Sequence, residues 1–217
     1  MNFLEIIWQL AHGLAYTVLV TLVCSVTGVA AGLLVACLRR LEHPLLNGVL
    51  AAYTYVFRGV PVLVMLFLVY FGLPGVGLKV SPLLAMALSL GLIAGAYLAE
   101  VFRGALASID GAELTAAQAM GLTRVQIFLY LEMPQMLRFS LPGMVNEFTS
   151  VLKYSPFAYT VGIPEMTKQA VNLTATTMQG MEIYLALGIL YFAIYRLLLA
   201  AVRWLERLYH IPGLQAP

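Results

Sequence analysis

The sequence predicts an all-α integral membrane protein of five transmembrane helices, with the N-terminus outside and the C-terminus in the cytoplasm. Three observations predict it. The 217 residues are 62% hydrophobic and only 10% charged, with mean hydropathy +0.91, whereas soluble domains run near 25% charged. No Asp, Glu, Lys or Arg occurs from Ile6 to Leu38. The basic residues of the remaining loops fall preferentially on alternate sides. Such a composition excludes a soluble enzyme, a disordered chain and a coiled coil, since little of it could stay solvated. A net charge of +2 with pI near 8.5 is too mild to imply nucleic acid. The chain reads as a single transmembrane domain over 1–217.

Crossing the hydrocarbon takes about 20 mostly apolar residues as a helix. The first span is Leu14–Leu38. Its apolar run is far longer than a secretory signal core, and its positive flank, Arg39-Arg40, follows rather than precedes it, so it reads as retained. Cys24 and Cys37 both lie in this run, too far apart along a helix to bridge, and read as small packing residues. The second and third spans are Val60–Leu78 and Val80–Ala99. A weaker fourth lies at Phe139–Val161, where Glu147, Lys153 and Pro156 interrupt the hydropathy, and the fifth is Ile183–Val202, with Arg196 inside it. With the N-terminus outside, Arg39, Arg40, Arg103, Arg124, Arg138, Arg203 and Arg207 face the cytoplasm, and only Lys79 and Lys168 face out. That asymmetry fits the positive-inside rule; dropping the fourth span would put Arg203 and Arg207 outside, against it.

Between spans three and four lies a cytoplasmic loop of about 104–138. Asp110 with Glu113 three residues on has the pattern of a capping box, and Ala112 to Met120 are helix formers that stop at Gly121. Thr123 and Gln126 form a second box, opening a helix through about Glu132 that Pro134 ends. The spacing therefore predicts a helical hairpin over 111–133. Ala116, Ala117 and Ala119 would let another surface approach closely. Ile127, Phe128, Tyr130 and Leu131 beside Arg124 and Glu132 make an amphipathic unit, suited either to a protein groove or to the lipid surface.

Ionisable groups at membrane depth are either functional or helix-to-helix ties. Glu100 and Arg103 are three apart and can pair on one face. Arg58, just before Pro61, and Arg103 fit a tie and a pathway role equally. Arg196 fits a snorkelling residue or a subunit-interface tie more readily than a pathway group. Glu147, Tyr154 and Ala158, spaced seven and four, share one face of the fourth span. Pro156 breaks the helix there, leaving the Leu152 carbonyl either free to line a cavity or repaired by Ser155 or water. In such a cavity an anionic group would prefer the N-terminal end of the broken helix or Lys153, and a cationic group would prefer Glu147 or Glu100. The polar stretch Glu165–Met181 is an external loop, open to a partner or simply solvated.

Ala116-Ala117-Gln118-Ala119-Met120-Gly121-Leu122-Thr123 followed by Pro134-Gln135 resembles the "EAA" loop of the inner-membrane permease subunits of bacterial ABC importers. More narrowly, the chain is similar to the polar amino-acid uptake branch, the histidine/glutamine/arginine-type permeases. The likeness includes Phe57-Arg58-Gly59-Val60-Pro61, Tyr70-Phe71-Gly72-Leu73-Pro74, the run Ala96 to Gly104, and Asn146-Glu147-Phe148 leading to Leu152-Lys153, in order across roughly residues 12–205. Two departures stand out. Thr115 holds the loop's signature glutamate position, with Glu113 the nearest acid. Tyr154-Ser155-Pro156-Phe157 replaces the common Asp-Thr-Ser-Leu, which removes an acid able to meet a substrate ammonium or guanidinium and points away from a purely cationic substrate.

The resemblance implies a permease of an ATP-driven amino-acid uptake system in the bacterial cytoplasmic (inner) membrane. It implies a second permease chain, identical or homologous, a pair of cytoplasmic ATP-binding subunits, and an external binding protein that delivers the substrate. Coupling to the ATPase would fall to the hairpin, through Glu113, Thr115, Ala116, Ala117, Met120, Gly121, Thr123, Ile127 and Pro134. The substrate pathway would use Arg58, Glu100, Glu147, Lys153, Tyr154 and Pro156. ATP and Mg would sit on the partner, because no Gly-x-x-x-x-Gly-Lys-Ser/Thr phosphate cradle occurs here. No catalytic or metal-binding pattern is present: His12, His43 and His210 lie near span ends, and neither His-Glu-x-x-His nor Cys-x-x-Cys occurs. The competing readings are an ion-coupled carrier working alone and an intramembrane enzyme, each with the 111–133 hairpin on the lipid surface.

Overall fold

The computed structural model describes residues 1–208, and all the regular structure among them is helical. His210 and the Arg207 side chain, both used in the sequence reading, lie outside what is described. Helix α1 (Phe3–Ala11) leads through a tight turn into α2 (Leu14–Arg39), and α3 (Pro44–Gly59) starts on Pro44, whose missing N–H costs nothing in a first turn. After Gly59 the chain is extended at Val60 and Pro61 before α4 (Val62–Phe67), which runs on through a wide π-turn, Leu68–Gly72, to Val76. Helices α5 (Pro82–Met86) and α6 (Leu92–Ala107) are one rod with a π-turn, Ala87–Gly91, between them.

Among the described residues three helices are long and apolar enough to cross a membrane: Leu14–Arg39, Pro82–Ala107 and Gly180–Trp204. A fourth crossing is available if Pro44–Gly59 and Val62–Val76, bent by 108° at their junction, act as one broken span. A second span of that kind would start earlier than the 60–78 expected: its first half would be α3, which Asn47 and Arg58 hide from hydropathy. The stretch expected as the fourth span belongs to a helix that starts earlier and carries Arg138, Glu147 and Lys153, and it is not apolar enough to count alone.

Helices α2 and α6 pack parallel along a seam of small residues. Moving up one helix moves up the other: Thr27 meets Gly91, Gly28 meets Ala94, Ala31 meets Gly95 and Gly32 meets Leu98. A Cβ on Gly95 would stand 2.6 Å from the Ala31 Cβ, and one on Gly28 would stand 2.9 Å from the Ala94 Cβ. Gly28-x-x-x-Gly32 and Gly91-x-x-x-Gly95 thus bring two backbones together where water gives no hydrophobic drive, and packing must do the holding. Above the seam the Cys24 thiol donates to the Met86 carbonyl at 3.5 Å, and both cysteines are free. At its end Arg39 reaches Glu100 at 3.0 Å, and Glu100 also takes Arg103 at 2.7 Å, the pair the spacing predicted with one more cation added.

The segment after α6 holds the clearest departures from expectation. Helix α7 (Gly111–Ala119) is followed by α8 (Arg124–Ile127), and Pro134 does not end the second helix. The chain passes through a π-turn, Phe128–Glu132, straight into α9 (Met133–Tyr154). Pro134 sits in the first turn of α9, where the widened turn before it removes the clash a proline ring makes with the preceding carbonyl. The helix finally stops at Tyr154, and Ser155 opens a 3₁₀ stretch to Val161 in which its hydroxyl donates to the Leu152 carbonyl at 2.9 Å. The break at Pro156 is thus a repaired kink.

The stretch 165–181, expected as a loop, contains α10 (Met166–Thr177). Its side chains Met166 and Ala170 are buried against Ile6 and Leu10 of α1 and Ile183 of α11 (Gly180–Leu208). Glu165 caps α10, accepting from Thr167 N at 2.8 Å, Lys168 N at 2.9 Å and the Tyr191 hydroxyl at 2.8 Å. Burial pushes its carboxyl up from the usual carboxylate range, and those donors pull it partly back.

Candidate functional site

Two features stand out from the packing, and one continuous helical stretch joins them. The first is an open cavity of about 590 Å³ between the α3–α4 break, α6 and α9. After Gly59 the chain unwinds at Val60 and Pro61, where α3 turns into α4, leaving Arg58 at the last turn of α3 and exposed. Its guanidinium lies over the Tyr97 ring at 5.2 Å from the centroid, and the Tyr97 hydroxyl donates to the Arg58 carbonyl at 3.5 Å. From the opposite wall α9 contributes Asn146, Glu147, Ser150 and Tyr154, which follow one another at helical spacing on one side. Among the described residues neither Arg58 nor Glu147 is in an ion pair.

Of the six pathway residues named from sequence, the cavity brings together Arg58, Glu147 and Tyr154. Ala158, expected on the same face, is buried in the core beside Leu66 and Leu90. Glu100 is held by its two arginines. Lys153 and Pro156 line a separate cleft of about 410 Å³ against α11, where the Lys153 ammonium lies 5.7 Å from the Tyr195 ring centroid. Lys153 adjoins Tyr154 in sequence, but one residue is a turn of 100° on a helix, so the two point to different faces. Sequence reasoning missed Phe57, Tyr97, Asn146 and Ser150. The motif around Gly59-Val60-Pro61, already conspicuous, was the signal for the break that opens the cavity, rather than Pro156.

The second feature is the hairpin. The Asp110 carboxylate accepts from Ala112 N at 2.9 Å, but the expected return bond from Glu113 is not made. Instead the Glu113 carboxylate accepts from Gln135 Nε2 at 2.8 Å, tying α7 to the first turn of α9. Gly121 has φ +83, and the Leu122 and Gly121 amides donate back to Ala117 and Gln118, so this stop needs glycine. Thr123 and Gln126 exchange both bonds of their box, at 2.8 and 3.3 Å.

The two sides of the hairpin differ. Met120 is 82% exposed, Tyr130 75% and Val125 66%, and Thr115, Ala116 and Thr123 share that open side. Ala117 and Ile127 turn inward; Ile127 is only 5% exposed and faces a cleft against the end of α2, so its surface is taken by the chain itself. The hairpin is bound to α2 by charge. Arg40 meets Glu132 at 2.7 Å, with Glu132 nearly buried, and its guanidinium also covers the Phe128 ring at 5.9 Å, so one side chain grips both ends of the π-turn. Arg124 meets Glu42 at 3.2 Å on the open surface. No group of His, Cys, Asp and Glu able to hold a metal occurs among the described residues.

A model of the family described as binding-protein-dependent transport system inner membrane component matches residues 28–210. The probable amino-acid permease protein YxeN of Bacillus subtilis is 34% identical over 188 residues, covering 85% of this chain and 84% of that protein. The glutamine transport system permease protein GlnP of Escherichia coli is 32% identical over 193 residues, covering 86% and 88%. Among solved structures, an amino acid ABC transporter with histidines superposes with a TM-score of 0.86 at 28% identity, covering 95% of this chain and 98% of that one.

Proposed function

The chain belongs to the binding-protein-dependent transport system inner membrane component family, and from that premise we propose that it is a permease subunit of an ATP-driven amino-acid importer. One observation carries the reading beyond the family. Unpaired groups of opposite charge face an open cavity, and the helical stretch that bears Glu147 runs without a loop into an exposed hairpin. A cavity able to hold a zwitterion is thereby joined to a surface able to feel a partner.

In this reading the hairpin rides in a groove of a cytoplasmic ATP-binding subunit through its open side, Thr115, Ala116, Met120 and Thr123, while Glu113, Gly121 and Pro134 hold its shape. Two such subunits supply the energy with ATP and Mg, a second permease chain completes the pathway, and an external binding protein delivers the substrate. Closure of the nucleotide subunits would switch the pathway between two packed states, as bistable interfaces do. The chain itself does no catalysis. It sits in the bacterial cytoplasmic membrane with the N-terminus outside.

Five crossings is the count this topology needs. The parallel course of α2 and α6 supports it, because the chain between them must return once, and α3 with α4 is the segment available. Helix α9, antiparallel to α6 in that Gly143 meets Val101 and Glu147 shares the cavity with Tyr97, makes the fourth crossing, with Glu147 turned to the cavity and Lys153 to the α11 cleft.

The test is co-purification from the native host in mild detergent. A stoichiometric ATP-binding subunit, with ATP hydrolysis that rises when an amino acid and the binding protein are supplied, is the expected result. Recovery of the chain alone across several gentle detergents would overturn the reading and favour a self-sufficient carrier whose hairpin lies on lipid.

A further inference from the structure

The charge inventory of the cavity goes a step further, resting on the reading of that cavity as the substrate pathway. It contains one base, Arg58, and one acid, Glu147. The other membrane-depth charges are spent or elsewhere: Glu100 is neutralised by Arg39 and Arg103, Lys153 faces the α11 cleft, and Arg196 lies on α11, outside the lining. The rest of the lining is aromatic and aliphatic, with Phe57, Tyr97, Tyr154 and Phe157 the large surfaces. Of the two small polar groups, the Ser150 hydroxyl already donates to the Asn146 carbonyl at 3.0 Å.

A free amino acid brings an α-carboxylate and an α-ammonium. The first suits the planar guanidinium of Arg58 and the second the carboxylate of Glu147. Once both are used, this chain contributes no further formal charge to the cavity. A third charge on the substrate side chain would lie against rings, stripped of water and without a counter-ion, which is the costly arrangement for any ion. We infer that the cavity selects a zwitterionic amino acid with an uncharged side chain, its carboxylate on Arg58, its ammonium on Glu147 and its side chain against the aromatic wall.

The experiment is equilibrium binding to the purified, assembled transporter without the external binding protein, so that the membrane cavity alone is read. Radiolabelled leucine, phenylalanine and glutamine are compared with arginine, lysine and glutamate. At least one of the first three binds saturably, and each of the second three is weaker by about 30-fold or more, the scale of one uncompensated charge. Arg58→Gln and Glu147→Gln each cost about tenfold or more, whereas Arg58→Lys, which keeps the charge, costs less. Arginine, lysine or glutamate binding as tightly as the best uncharged amino acid overturns the inference and leaves the importer reading intact. So does full binding retained in both glutamine variants. Absence of binding by all six, with ATP hydrolysis indifferent to each, overturns the pathway reading as well. Should a variant fail to fold, the wild-type series decides alone.

Discussion

Gly95→Ala tests the seam between α2 and α6 most sharply. The added methyl would stand 2.6 Å from the Ala31 Cβ and 2.9 Å from the Tyr53 hydroxyl oxygen. Both backbones belong to rods packed along their length, so the strain cannot be relieved by one flexible side chain. Overpacking of this kind costs about 1–3 kcal/mol. Tyr53 adds to it, because its hydroxyl donates to the Leu92 carbonyl at 2.7 Å and must move, at about 1 kcal/mol for a bond lost. The expected loss is about 2–4 kcal/mol. Gly104→Ala is the internal control: it lies on the same helix with nothing within 4 Å of an added Cβ, and relief of glycine's helix penalty makes it neutral or stabilising by up to about 1 kcal/mol. Thermal unfolding of the detergent-purified protein, read by loss of the monodisperse peak, compares the two. Equal midpoints for Gly95→Ala and Gly104→Ala would falsify the close-packed seam.

The remaining predictions concern the hairpin and the cap of α10. Arg40→Ala leaves the nearly buried Glu132 without its cation, and a loss of about 2–4 kcal/mol is expected, less than for a fully buried pair because Arg40 is partly exposed; exchanging the pair as Arg40→Glu with Glu132→Arg restores part of it, and no recovery in a double-mutant cycle counts against a direct pair. Thr123→Ala removes one half of the capping box, about 1 kcal/mol, and should speed amide exchange in α8 while leaving α2 unaffected. In a background lacking Cys24 and Cys37, a cysteine at Met120 reacts with a water-soluble maleimide until the ATP-binding subunit is added, whereas one at Ile127 stays unreactive throughout. Glu165→Ala deprives two amides and the Tyr191 hydroxyl of their acceptor, and a loss of about 2–3 kcal/mol is expected in the same thermal assay.

Composition and periodicity made the helical class, the first and last spans, the Thr123–Gln126 box and the Gly121 turn legible, because each depends on local chemistry. What was hidden depends on partners distant in sequence. Glu113 had the spacing of a cap but found Gln135 instead, a residue that lies close only because α9 doubles back. Pro134 carries the usual sign of a helix end, and nothing local announces that a π-turn ahead of it would admit the ring. The Thr-rich stretch after Glu165 reads as solvated, yet Met166 and Ala170 make it a packed helix against α1. In the cavity, the seven-residue spacing of Glu147 and Tyr154 was readable, and so was the misplacement of Lys153, one residue from Tyr154. Arg58 could be placed beside them only once the chain was seen to unwind at Gly59.

The uninterrupted course from Thr123 through Tyr154 has a mechanical consequence. Arg40 grips this helix at Glu132, and Ala36 of α2 packs in one cluster with Met136 a turn further on. From Glu132 to Thr123 is about 13 Å of helix, and to Glu147 about 22 Å, at 1.5 Å per residue. The longer of these two stretches ends in the cavity. In the importer reading, a push on the hairpin would have to pass along α9 through Pro142 and against the α6 packing at Gly143 and Val101, and a tilt of about 10° about Glu132 would carry Glu147 roughly 4 Å.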